Sequence, residues 1–173
     1  MNAIVIRAPR PDDSGPLAAI MNLPGVRAGT LRMPFETESF ARERLTQPGP
    51  GVHTLVAETD GVVAGSGTLI RQVGRRSHVG EVFLFVADDR WRRGVGRALL
   101  AALLDIADNW IGLARVELTC NADNAGAVAL YEAFGFAHEG RRRADVLRNG
   151  VLIDSLAMAR LRRRPDFEGE PTA

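Results

Sequence analysis

One stretch constrains the fold of this chain more than any other. Residues 78–87, HVGEVFLFVA, are its most apolar strand-like run, and DDRWRRGVGR carries them into a long amphipathic segment that ends before RVELTC at 115–120. Val95, Leu99, Leu100, Leu103, Leu104, Ile106, Ala107 and Trp110 recur at helical spacing, and Gly112 is placed to end that helix. A strand, a long helix and a second strand form a crossover, and so apolar a first strand belongs in the middle of its sheet.

The rest of the pattern adds hairpins to that crossover. HTLVAET and GVVAGSGTLIRQ flank Asp60-Gly61, and FAHEGRRRADVL and VLIDSLAMARL flank Asn149-Gly150. Both dipeptides are strong two-residue hairpin turns. IVIR at 4–7 reads as an opening strand, a helix runs from Pro11 to about Met21, and ETESFARERLT at 36–46 reads as a second helix. Residues 22–35, with Pro24, Gly25, Gly29 and Pro34, read as a long loop, which in a compact domain is usually functional. After NADN, AGAVALYEAF forms a last helix closed by Gly135. Hairpins combined with a crossover give an α/β class with a mixed sheet. Residues 1–162 are expected to form a single domain, with 163–173 a disordered tail.

Composition narrows the chemistry. At 173 residues and 46% hydrophobic, the chain suits one soluble domain with its own core. It has no apolar run of the roughly 20 residues a membrane helix needs and no signal-peptide pattern, so a membrane is not an expected partner. The lone Cys120 excludes a disulfide framework and a cysteine zinc cluster, and no metal is expected. All 22 basic residues are Arg. A catalytic Lys and a Walker-type phosphate loop are therefore impossible, and any bound anion must be held by guanidinium groups or backbone N–H. The net charge of +1 argues against a nonspecific nucleic-acid binder.

The turn between the apolar strand and the long helix has the composition of a pyrophosphate cradle. Gly94 and Gly96 let a phosphate approach the backbone, and the first N–H groups of the helix point toward it. Arg90, Arg92, Arg93 and Arg97 rim the site. A dinucleotide fingerprint would need a small residue where Leu99 stands. The acyl-coenzyme A pattern [QR]-x-x-G-x-[GA] remains, although a bland strand-to-helix turn has the same glycines.

About 30 residues later comes VELTCNADNAGAVALYEAFGF. Together with VADDRWRRGVGRALL, it resembles the paired signature of the GNAT superfamily, the Gcn5-related N-acetyltransferases. RRSHV, DNW, RVELT and VLIDSLAMAR are similar to a bacterial subgroup, the L-amino-acid N-acetyltransferases. One departure stands out: Trp91 occupies the position, three residues before the first glycine, where the family usually has Gln or Arg. The resemblance implies a mixed, strongly twisted sheet flanked by helices, whose two central strands splay apart to hold acetyl-coenzyme A (acetyl-CoA). Leu84, Phe85 and Val86 would then offer backbone groups to the pantetheine arm, and Arg92, Arg93, Gly94, Val95, Gly96 and Arg97 would hold the pyrophosphate. Asn124 would reach the pantetheine or the leaving group, and Tyr131 would stand beside the sulfur. A cytoplasmic homodimer acting on acetyl-CoA and a small amine is the expectation that follows.

Direct transfer of an acetyl group needs a neutral amine, a stabilised oxyanion and a proton for the thiolate. Tyr131, the only Tyr, is protonated at neutral pH and is the candidate acid; the alternative is a packed ring with an idle hydroxyl. Glu81 interrupts the apolar strand and is the candidate base and amine contact, its pKa raised by partial burial; the alternative is an outward or Arg-paired carboxylate. His78 is a second candidate base. Backbone N–H groups near Val86 would serve the oxyanion. Asn121 and Asn124 also suit turn and cap chemistry, and Cys120 suits inert packing better than an acetyl-enzyme route. Arg27, Arg32 or the run Arg141 to Arg143 could pair with an acceptor carboxylate, and the loop Leu23–Phe35 and the hairpin at 141–152 would line its pocket. Three functions remain open: acetylation of a small amine such as a free amino acid, acetylation of a protein N-terminus, Lys or antibiotic amine, and a non-catalytic acetyl-CoA sensor.

Overall fold

The computed structural model describes residues 3–162, and the tail expected over 163–173 lies outside them. Seven strands form one sheet in the order β1-β2-β3-β4-β5-β7-β6. They are β1 Ile4–Arg7, β2 Val52–Thr59, β3 Val62–Arg71, β4 Val79–Val86, β5 Arg115–Asn121, β6 Ala137–Arg148 and β7 Val151–Leu161. The apolar run is β4, and it is the central strand as expected. Only the β4–β5 pair is parallel, as the crossover through the long helix requires; the other pairs are antiparallel. Both predicted hairpin turns place their two residues at positive φ: Asp60 and Gly61 at 55° and 74°, Asn149 and Gly150 at 50° and 79°.

Five helices flank the sheet: α1 Ser14–Met21, α2 Pro24–Gly29, α3 Glu38–Thr46, α4 Val95–Asp105 and α5 Ala125–Ala133. Leu100, Leu103 and Leu104 of α4 are buried and pack with Val82, Val116 and Leu118 of the sheet in a core that also takes in Tyr131 of α5, while Leu99 packs with Val95, Ala57 and Ala64. On the opposite face Leu17, Ala18 and Met21 of α1 and Ala41 of α3 pack with Val56 and Phe85. The sheet is thus covered on both faces, and β4 contributes alternate side chains to each.

Two sequence expectations are corrected. The stretch 22–35 is not a continuous loop, because Pro24–Gly29 form α2 with Pro24 in its first turn. The long helix is regular only to Asp105; Ile106–Ile111 continue it as a wider π turn, ended by Gly112 at φ 70°. That added residue per turn breaks the 3.6-residue period, so Ala107 stays buried while Trp110, expected inward, is 81% exposed.

Candidate active site

The site follows from a break in the sheet. Strands β4 and β5 pair only at Val79–Arg115, Gly80–Val116 and Glu81–Glu117, after which they separate. The N–H of Ala87 donates to the Ala64 carbonyl on β3 at 2.9 Å, and this sets the alternation along β4. Main-chain polar groups of Glu81, Phe83 and Phe85 therefore face β3, while those of Val82, Leu84 and Val86 face the gap. On the other wall the N–H of Ala122 donates to Asp154 on β7 at 2.9 Å, so Thr119 and Asn121 turn their polar groups toward the gap. Most backbone groups at this depth are paired in folded proteins. The Asn121 carbonyl accepts from the Asn124 N–H at 3.0 Å and the Val86 carbonyl from the Trp91 indole at 2.8 Å. The backbone groups left over along this edge, the N–H of Val86 and both groups of Leu84 among them, fit an extended, amide-bearing ligand arm in the place of a missing strand.

At the open end of the gap β4 runs into the arginine-rich turn. Gly94, at φ 88°, is the residue before α4, and the N–H of Ala98 already donates to its carbonyl at 3.0 Å. The N–H groups of Val95, Gly96 and Arg97 are left without an intrahelical acceptor, and they stand at the positive end of the helix dipole. A side chain on Gly96 would lie 3.4 Å from Leu130 and 3.7 Å from Leu84, so glycine keeps this approach open. The Val95 side chain is buried, and its contribution to the turn is its N–H. Arg92 and Arg93 are exposed, and Arg97 lies over the Phe134 ring at 5.4 Å. Arg90 departs from the expected rim, because it is turned to Asp60 at 3.7 Å and Asp89 at 3.3 Å.

Helix α2 bridges the mouth of the gap. At its start the Asp88 carboxylate, beyond the end of β4, accepts from the N–H of Gly25 at 2.8 Å and of Val26 at 3.1 Å. At its end the Ala28 carbonyl accepts from Asn121 Nδ2 at 2.9 Å and from Arg148 at 3.2 Å, both on the far side. Trp91 completes the near anchor: its indole N–H donates to the Val86 carbonyl at 2.8 Å. A Cβ on Gly25 would come within 2.3 Å of the Trp91 ring, so only glycine fits there. The departure at Trp91 thus has a structural reason, since the ring seats the crossbar where other chains carry Gln or Arg. Neither anchor was anticipated from the sequence.

The titratable candidates fall on opposite faces. Tyr131 is 6% exposed on the α4 face, its ring centroid 5.8 Å from that of Phe136. Its hydroxyl has no hydrogen-bond partner among the described residues, and burial together with neighbouring Cys120 holds its pKa well above the ordinary tyrosine value. Burial also pushes the Cys120 thiol up, which disfavours the thiolate a nucleophile needs. Glu81 sits at the vertex of the gap, its side chain on the opposite face with Phe83, Phe85 and Ile70. It is exposed, not partly buried as expected, because no helix covers the sheet at that point; its β5 neighbour Glu117 is occupied by Arg76 and Arg115. His78 precedes β4 and is exposed. Asn124 caps α5 through its side-chain oxygen, which accepts from Ala127 N–H at 3.1 Å, and its amide nitrogen would meet a Cβ on Gly29 at 3.4 Å.

On the Glu81 face a cavity of about 370 Å³ borders β4, lined by Leu17, Met21, Phe83 and Phe85 and by the polar Thr54, Ser66 and Thr68; Glu81 itself is not in its lining. Arg32 enters it from the loop after α2. Of the other arginine candidates, Arg27 has a buried Nε without a hydrogen-bond partner. Arg141 pairs with Asp154 and Arg142 reaches Thr119 at 3.4 Å. No residue of the 141–152 hairpin lines the cavity among the described residues, contrary to expectation. These residues also include no His, Cys, Asp and Glu group able to hold a metal, and no helix long and apolar enough to cross a membrane.

Comparison with known proteins bears on this geometry. Residues 23–136 match the Acetyltransferase (GNAT) family, a span that runs from α2 through the gap to the end of α5. The chain is 39% identical over 164 residues to the L-amino acid N-acetyltransferase AaaT of Escherichia coli strain K12, covering 94% of this chain and 100% of that one. A GCN5-related N-acetyltransferase from Kribbella flavida superposes with a TM-score of 0.81 at 26% identity, covering 92% of this chain and 98% of the other. The structure of yncA from Salmonella typhimurium, described with its cofactor acetyl-CoA, shares the fold at a TM-score of 0.80 and 22% identity over 99% of both chains.

Proposed function

The chain belongs to the GNAT family of acetyltransferases, and from that premise we propose that it acetylates the amine of a free amino acid, with the splayed β4–β5 gap as the seat of acetyl-CoA. It is an acetyl-CoA-dependent N-acetyltransferase by family. The amino-acid acceptor is supported by the relative of 39% identity and by a cavity that borders β4 on the Glu81 face.

The observation that carries the site is the unpaired edge of β4. A pantetheine arm carries amide groups, and Leu84 and Val86 turn backbone groups toward it. Phe85 contributes from the other side, with its side chain in the α1 core. Arg92, Arg93 and Arg97 and the free N–H groups of Val95 and Gly96 suit a pyrophosphate. The Asn124 amide nitrogen and the orphaned Arg27 Nε are further donors at the crossbar. Acetyl-CoA, when bound, supplies the activated acyl thioester.

The chain's own groups would then act from two sides. From the cavity face Glu81 takes the amine proton, through water because it is exposed. The N–H of Leu84 or Val86 donates to the charge that develops on the acyl oxygen. From the α4 face Tyr131 gives its proton to the departing sulfur as the C–S bond breaks and the N–C bond forms. A tyrosine kept protonated by burial, with no partner for its hydroxyl among the described residues, suits that role. An α-amino group, with a reference pKa of about 8 against about 10.4 for a Lys side chain, asks little of an exposed base.

We also infer a cytoplasmic protein, where acetyl-CoA is found. Pairing of copies through the outer β6–β7 hairpin is supported by its exposed Leu147, Val151 and Leu152. The test of function is thiol release from acetyl-CoA against a panel of free amino acids, peptides and polyamines. Release with free amino acids supports the reading. Release only with peptide N-termini or polyamines reassigns the acceptor, and binding without release makes the protein a sensor.

A further inference from the structure

Most arginines with low exposure here are well paired. Arg7 is bonded to Asp13 and Glu58, Arg160 to Asp108, and Arg148 to Asp123. Arg32 is different. Its side chain is only 13% exposed, yet its guanidinium makes no hydrogen bond among the described residues, and its one ion pair there is with Glu36 at 3.8 Å. The group is held by rings instead: it lies 5.2 Å from the Phe85 centroid and 5.9 Å from that of Phe40. Arg44 stacks on Phe40 as well, at 5.2 Å, and its guanidinium too has no hydrogen-bonded partner among the described residues. Burial and the charge of Arg44 both push the Arg32 pKa down. Two cations that repel one another, with their donors unused, line one cavity. Glu43 shares that lining but pairs with neither.

We propose that Arg32 and Arg44, gathered around Phe40, form a clamp for the α-carboxylate of the acceptor. This rests on the amino-acid reading above and makes it more specific. Planar guanidinium groups on aromatic rings keep their N–H edges free to grip a carboxylate in a fork. The supporting loop is tied in place, because Asn22 exchanges two hydrogen bonds with the backbone of Glu36, at 2.8 and 3.0 Å.

Position then selects the amine. Phe85, under Arg32, lies between Leu84 and Val86, two of the residues whose backbone groups face the gap. A carboxylate held over Phe85 leaves little distance to the gap, which suits an amine on the adjacent carbon. The clamp selects α-amino acids over their carboxamides, over peptides whose N-terminal residue has no free carboxylate, and over ω-amino acids.

The experiment compares each L-amino acid that releases thiol with its carboxamide and its β-homologue, in the wild type and in Arg44→Gln, Arg44→Lys and Arg32→Gln. Expected is a preference for the free acid, and a rise in its KM of about 10- to 100-fold in the Gln variants with amide kinetics nearly unchanged. Arg44→Lys recovers part of the loss. Arg44 is exposed on α3, so its variants are expected to fold. Equal turnover of acid and amide by the wild type, or equal loss on both substrates in the variants, overturns the clamp while leaving the acetyltransferase reading intact. A β-homologue that matches its α-amino acid overturns the spacing argument. Absence of thiol release with every amine overturns both readings together.

Discussion

Removing the Asp88 carboxylate tests whether the α2 crossbar organises the acceptor side. Helix α2 is six residues long, too short to hold itself, and Asp88 accepts from two of its first-turn N–H groups at 2.8 and 3.1 Å. Charge-assisted hydrogen bonds contribute about 1.5–3 kcal/mol each, but water can reach a half-buried carboxylate. Loss of a helix-start acceptor costs about 1–2 kcal/mol in comparable positions, and that is the expected cost of Asp88→Ala. For a domain of this size it corresponds to a fall in Tm of about 2–8 °C. Arg32 and Glu36 follow directly on α2, so the KM for the acceptor should rise about tenfold, as for a loss of about 1.4 kcal/mol, with a smaller change in kcat. Asp88→Asn keeps one acceptor oxygen and should recover part of both effects. Gly25→Ala drives a methyl into Trp91 and should mimic Asp88→Ala, the double variant losing less than the sum. Scanning calorimetry and steady-state kinetics measure both quantities. A fall in Tm with an unchanged acceptor KM would refute the idea that the crossbar orders the acceptor side.

Three further outcomes follow from the same geometry. Tyr131→Phe should lower kcat by about 100- to 10,000-fold with little change in acetyl-CoA affinity, and because the phenol is held above its ordinary value the wild type should show no falling limb from it up to about pH 10; near-wild-type turnover of the variant across about pH 6–9 removes it from the acid role. Glu81→Gln should lower kcat with little change in acetyl-CoA affinity, whereas His78→Ala should stay near the wild type; the opposite pattern assigns the base to His78. Arg7 holds the pKa of buried Asp13 below its usual 3.8, so that stabilisation is present above this value and lost as pH falls through the lowered one. Arg7→Met should cost about 3 kcal/mol at neutral pH in urea unfolding, and an unchanged midpoint contradicts the pairing.

How much of this was legible in the sequence depends on how far apart the cooperating residues lie. The hairpin dipeptides Asp60-Gly61 and Asn149-Gly150 encode their turns locally, and the apolar run 78–87 announced a central strand. The glycines and arginines of 92–97 marked the turn before α4. Helix α2 escaped because its supports lie far along the chain: Asp88 is 63 residues from Gly25, and Asn121 is 93 and Arg148 120 from Ala28. Trp91 was visible as a departure, but its reason, an indole N–H on the Val86 carbonyl, exists only once the strand end and α2 meet. The π turn misled the reading of Trp110, since a helical period assumes uniform turns. The helix that carries Phe40 and Arg44 was legible, yet nothing local said that Arg32 would join them. Glu81 was recognisable as a lone carboxylate, while its exposure depends on which helices cover that face.

The central claim is that the β4–β5 gap receives the pantetheine arm as a missing strand, and residue-resolved amide hydrogen exchange with and without acetyl-CoA tests it most directly. Phe83 and Phe85 turn their N–H groups to β3 and should exchange slowly in both states. Leu84 and Val86 face the gap and should exchange fast alone and become protected on binding. Protection that alternates in this way along β4 is the predicted result. Binding of acetyl-CoA without slowed exchange at Leu84 and Val86, or with equal slowing at all four residues, would contradict the account.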